Sequence, residues 1–184
     1  MIKKDIRLLI IILVIIVIRL CLISKVNYED KNIKVENINI KENTNKVDNN
    51  NYLGIIEIKN IKLKKEFYDI NSNLNDVDKN IEVIKSSLMP NVKNSNLILA
   101  SHSGNSNISY FKNLDKLKLG DIASIYYLKN RYDYKLVNYY EVIKSGKVQI
   151  IKNNDVNNLT LITCKKNSDK QIVYIFELIK IEER

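Results

Sequence analysis

Leu159-Thr160-Leu161-Ile162-Thr163-Cys164 is a run of apolar and β-branched residues that ends on a thiol. Such a run reads as a short β-strand. Alternation along a strand puts Leu159, Leu161 and Thr163 on one face and Thr160, Ile162 and Cys164 on the other. The polar run Lys165-Lys166-Asn167-Ser168-Asp169-Lys170 follows. The cysteine therefore closes the strand beside a loop, where a rigid element can present a reactive group. Leu97-Ile98-Leu99-Ala100-Ser101-His102-Ser103-Gly104 has the same form and carries the only histidine of the chain, also at a strand end. One thiol and one imidazole, each closing an apolar strand, make a candidate nucleophile and base. Taken singly both are weak signals, because a lone cysteine is usually a buried, inert small residue.

Working outward, further apolar or alternating runs read as strands at 53–58, 61–63 with a continuation through 66–68, 81–84, 122–128, 132–137, 139–143, 148–151 and 172–179. Residues 71–80 suit a turn or short helix. Tyr110, Phe111, Leu114, Leu117 and Leu119 have mixed helical spacing, which predicts a short helix ending near Gly120. Tyr126, Tyr127, Tyr132, Tyr134, Tyr139 and Tyr140 are expected as half-buried strand aromatics. About eight or nine short strands with little helix argue for a small, mostly antiparallel β-barrel or sandwich.

The chain has 184 residues, enough for one domain plus appendages. Leu8 to Ile18 is unbroken apolar sequence, and Leu20-Cys21-Leu22-Ile23 extends it past Arg19. This run is a little short of the roughly 20 residues that span a bilayer, and Arg19 can snorkel to the interface. Lys3, Lys4 and Arg7 precede it and favour a cytoplasmic N-terminus with an exported remainder. With no small-x-small cleavage site after the apolar core, residues 1–26 read as an uncleaved signal-anchor, one N-terminal transmembrane helix. Residues 27–51, rich in Asn, Lys and Glu, read as a polar flexible tether, and residues 52–184 as the main folded domain. Net charge is +9, but the lysines of the main domain are mostly single, and no basic tract suggests a nucleic-acid site. With Cys21 in a bilayer and Cys164 in the domain, no disulfide framework is expected. No Gly-rich phosphate loop is present. No acidic cluster has the spacing of a calcium site, so no cofactor is expected, with activation by Ca2+ left open.

Three stretches together resemble the sortases, membrane-anchored cysteine transpeptidases of Gram-positive-type bacteria. They are Leu-Ile-Leu-Ala-Ser-His-Ser-Gly at 97–104, the Leu-x-x-Leu-x-x-Gly-Asp pattern ending at Asp121, and Leu-Thr-Leu-Ile-Thr-Cys at 159–164. The similarity covers about residues 53–180, and the anchor and tether match the family layout. The resemblance implies a closed eight-stranded β-barrel with short helices. It implies that Cys164 attacks the Thr–Gly bond of an LPxTG-like sorting signal and that His102 moves the protons. The thioester would then pass to an amine of a peptidoglycan precursor or a pilin. Partners would be surface proteins with a C-terminal sorting signal and the cytoplasmic membrane, with the domain on the extracellular side. The family places an Arg a few residues after the Cys, and this chain has none between Cys164 and Arg184. Register puts Gln171 there, with Lys170 beside it, as candidates for holding substrate or the oxyanion. Ser101 and Thr163 are expected to shape the site. Two other readings are a cysteine endopeptidase that uses water as acceptor and a catalytically silent binding module on the same fold.

Overall fold

The computed structural model describes residues 52–184; the expected anchor at 1–26 and tether at 27–51 lie outside the described residues. Eight strands form one sheet: β1 Gly54–Ile58, β2 Leu63–Phe67, β3 Glu82–Val83, β4 Asn96–Ala100, β5 Ile122–Tyr127, β6 Asn130–Ile143, β7 Asn158–Cys164 and β8 Lys170–Glu183. Their order is β2-β1-β5-β6-β8-β7-β4-β3. A single parallel bridge between Phe67 and Ile81 joins the two edges. The barrel is thus nearly closed rather than closed. The gap has a local cause, since β3 is only two residues long and offers β2 almost no ladder. Among the described residues every strand pair is antiparallel except β4 with β7.

Alternation decides which side chains fill the barrel. Leu97 and Leu99 of β4, Leu159 and Leu161 of β7, and Phe176 of β8 are fully buried, with Tyr174 nearly so. They meet Ile56, Ile58, Ile125 and Tyr134 from the other half of the sheet in one core cluster. Removing this apolar surface from water is the main force holding the sheet curved. At Gly54 the curvature leaves no room for a side chain. A Cβ there would lie 2.5 Å from the Phe67 ring and 2.8 Å from the Tyr126 carbonyl oxygen.

Three sequence expectations are corrected. The helix expected at 108–119 is a set of turns around one 3-10 turn, Leu114–Lys116. Phe111, Leu114 and Leu117 are the buried apolar positions, and a spacing of three is the period of a 3-10 turn rather than an α-helix. The strands expected at 132–137 and 139–143 are one strand, β6, whose pairing with β8 shifts register between Leu136 and Asn138. The extra residue, Val137, breaks the alternation that sequence reading relied on. The strand expected at 148–151 is absent. The Tyr140 hydroxyl holds this segment, accepting from Ile151 N at 2.8 Å and donating to Gln149 O at 2.9 Å. A side chain does there what a neighbouring strand would otherwise do. The tyrosines also divide more sharply than expected, with Tyr132 and Tyr134 buried and Tyr139 exposed.

Candidate active site

The parallel pairing of β4 with β7 builds the site. The pairs from Asn96 with Asn158 to Ala100 with Ile162 keep one constant offset. Carrying that offset two residues further sets His102 level with Cys164. β4 itself ends at Ala100, so His102 stands two residues beyond the strand rather than at its last position. On the other side of β7, Cys164 is the register partner of Gln171 on β8. His102, Cys164 and Gln171 therefore lie in a row across three adjacent segments, and all three line one groove of about 500 Å³.

Backbone and side-chain hydrogen bonds hold this row after the β4 ladder has ended. Ser101 N donates to Ile162 O at 3.3 Å, and Phe111 N donates to His102 O at 3.0 Å. Thr163, the inward-facing neighbour of the cysteine, donates from Oγ1 to Ser101 O at 2.7 Å. Ser103 Oγ donates to Cys164 O. Ser101, Ser103 and Thr163 are all buried, so these bonds are shielded from water. Ser101 and Thr163 thus tie the histidine loop to the cysteine strand. Ser103 does the same and was not singled out from sequence, since nothing in its neighbourhood distinguishes it from Ser101.

The groove walls are largely apolar, with Ile84, Ile98, Ala100, Val148, Ile150 and Ile162 leading to the thiol. Cys164 is a free cysteine and partly accessible. The His102 ring hydrogen-bonds through Nε2 to Asp78 Oδ1 at 2.8 Å. Asp78 comes from the loop between β2 and β3, far from His102 in sequence, and no motif flagged it. Glu82 also lines the groove. Burial, with added repulsion from Asp76 and Asp78, pushes its carboxyl above the usual range.

Lys170 does not reach the groove. Neighbours on a strand face opposite ways, and with Gln171 turned to Cys164, the Lys170 ammonium pairs with Glu141 at 3.1 Å. Lys165 reaches the same carboxylate. Bonds first from Lys165 and then from Lys170 hold the Glu141 carboxyl below its usual range. A second pocket, of about 230 Å³, is also lined by Cys164, together with Phe111, Asp115, Lys166 and Tyr174, among others. Among the described residues, no group of three or more His, Cys, Asp or Glu could hold a metal ion.

A sequence model of the sortase domain matches residues 56–176. The chain belongs to the sortase family. Solved sortases share the fold of this domain. Sortase A of Listeria monocytogenes is 24% identical, with 72% of this chain and 90% of that chain covered at a TM-score of 0.61. The sortase D5 transpeptidase of Clostridium perfringens is 24% identical, with 71% and 80% covered at a TM-score of 0.60. Sortase C of Streptococcus pneumoniae is 20% identical, with 70% and 69% covered at a TM-score of 0.62. No curated protein sequence matches the chain. Sortases are cysteine transpeptidases, and in this sortase domain the single free thiol described is Cys164.

Proposed function

We propose that this sortase is a cysteine transpeptidase that cleaves an LPxTG-like sorting signal and transfers the protein to an amine of the cell wall or of a pilin. The observation that carries the reading is the row of His102, Cys164 and Gln171 along one apolar groove. An extended peptide laid in that groove would bring its Thr–Gly carbonyl to the thiol. The Cys164 thiolate attacks the carbonyl carbon, and the Gln171 amide is placed to donate to the oxyanion. The carbon–nitrogen bond to glycine breaks, and His102 gives the leaving amine its proton. An acceptor amine then attacks the thioester carbonyl and passes a proton to His102. The carbon–sulfur bond breaks and the thiolate returns. Side chains alone carry these steps, so the reading requires no cofactor.

Two approaches to one thiol favour transfer over hydrolysis. Cys164 lines both the groove and the second pocket, which leaves one path for the sorting signal and another for the acceptor. In this reading residues 1–26 anchor the chain in the cytoplasmic membrane, residues 27–51 form the tether, and the domain works outside. Its partners are then surface proteins carrying the signal and the peptidoglycan precursor or pilin that supplies the amine.

The test is product analysis after mixing the full chain with LPxTG-like peptides and an excess of a small amine. A transpeptidase gives mainly the N-terminal part of the peptide joined to the amine. Only the free carboxylic acid would identify an endopeptidase, and intact peptide throughout would identify a silent binding module.

A further inference from the structure

Asp78 is the only side chain that hydrogen-bonds the His102 ring among the described residues. We infer that Asp78 is a positioning residue: its carboxylate accepts the Nε2–H of His102 and so fixes the ring's orientation and tautomer for proton transfer at Cys164. This inference rests on the transpeptidase reading for its chemistry, but its geometry stands independently.

The contact is built into the fold rather than left to two free side chains. Asn75 clamps the loop onto β3, accepting from Val83 N at 2.7 Å and donating to Val83 O at 3.1 Å. Inside that clamp Asp76 turns the chain. Its Oδ1 accepts from Asp78 N at 2.9 Å, and its carbonyl accepts from Lys79 N and Asn80 N at 2.9 and 2.8 Å. Tyr110 reaches across from the segment after His102 and donates to Lys79 O. Both ends of the Asp78–His102 pair are thus fixed by backbone bonds, the histidine end through its carbonyl to Phe111 N.

The other charged groups near the ring do not compete for it. Asp76 is engaged by Lys79 at 3.0 Å. Glu82 is half-buried and pushed towards its neutral form, first by burial. Lys144 also lines the groove, and an ammonium has donors only, so it cannot accept the Nε2–H. With Nε2–H given to Asp78, the neutral ring carries its lone pair on Nδ1. One nitrogen is thereby assigned to structure and the other to chemistry. As a solvent-exposed contact it adds little to stability, so its removal leaves the fold in place and any loss of rate is readable.

The test uses the full chain in mild detergent, as wild type, Asp78→Ala and Asp78→Glu. Two quantities are measured: kcat and KM for acylation by an LPxTG-like peptide, and the imidazole 15N signals in alkaline buffer. The chain has a single histidine, so those signals belong to His102 alone. Asp78→Ala should lower kcat roughly tenfold with KM little changed, below the range for removing a general base outright because only orientation is lost. The 15N signals should move from the Nε2–H tautomer towards a mixture, and Asp78→Glu should restore both. Wild-type kcat and unchanged 15N signals in Asp78→Ala would overturn the inference. A fall in kcat with unchanged 15N signals and no rescue by Glu would also overturn it, since that marks a structural effect of the loop. If wild type forms no thioester, the transpeptidase reading fails, and the 15N shift alone decides whether Asp78 positions the ring.

Discussion

His102→Ala should lower the rate of thioester formation on Cys164 by about 100- to 10,000-fold, the range for losing a positioned general acid–base. It is the only imidazole in the chain. Besides His102, the groove beside Cys164 is lined by the carboxyl of Glu82 and the ammonium of Lys144. Glu82 is the other candidate proton carrier there. It belongs to β3 at the sheet edge, whereas His102 is level with the thiol through the β4–β7 register. The substitution should leave stability nearly unchanged, since the His102 side chain is 39% exposed and its partner Asp78 is 76% exposed. Rapid-quench measurement of peptide acylation, paired with thermal melting, checks both halves. A rate within a few-fold of wild type, with an intact fold, would remove His102 from the chemistry.

Leu161→Ala should destabilise the domain by about 2–5 kcal/mol, the usual cost of truncating a buried leucine. Leu161 is fully buried at the centre of the cysteine strand. It stands between Leu99 of β4 and Tyr174 of β8 in register. Removing it opens a cavity under three neighbouring strands at once, and a curved sheet has little freedom to collapse around the hole. Two residues further along the same face, Thr163 makes the bond to Ser101 that ties the histidine loop down. Loosening of β7 should therefore also reduce acylation. Urea unfolding followed by tyrosine fluorescence measures the first effect, since the chain has eleven tyrosines and no tryptophan. Ile151→Ala serves as the control, because Ile151 is 59% exposed and should change stability by no more than about 0.5 kcal/mol. A cost near that of Ile151→Ala would mean that Leu161 does not hold the core together.

The cysteine strand was legible as an apolar and β-branched run with no turn former in it. Leu159 and Leu161 face the core, while Ile162 and Cys164 face the groove, as period two requires. Sequence left both Gln171 and Lys170 as candidates; in the structure the same rule turns Gln171 towards the thiol and Lys170 away to Glu141. What sequence could not supply is the pairing of β4 with β7, which levels His102 with Cys164. That register becomes visible only once the parallel ladder is known. Elements were misread where the local pattern had two explanations. Val137 interrupts the period of β6 without ending the strand, and a spacing of three between Phe111, Leu114 and Leu117 fits 3-10 turns as well as a helix. Residues 148–151 alternate like a strand yet are held by one tyrosine hydroxyl. Asp78 and Ser103 act through contacts that join distant parts of the chain, so neither leaves a local signature.

The most direct measurement is the intact mass of the protein after brief exposure to LPxTG-like peptides, with wild type compared with Cys164→Ala. Thioester chemistry at Cys164 predicts a mass increase equal to the N-terminal part of one peptide, lost on adding an amine and absent from the variant. The same adduct on Cys164→Ala, or no adduct on wild type from any peptide in the set, would contradict it.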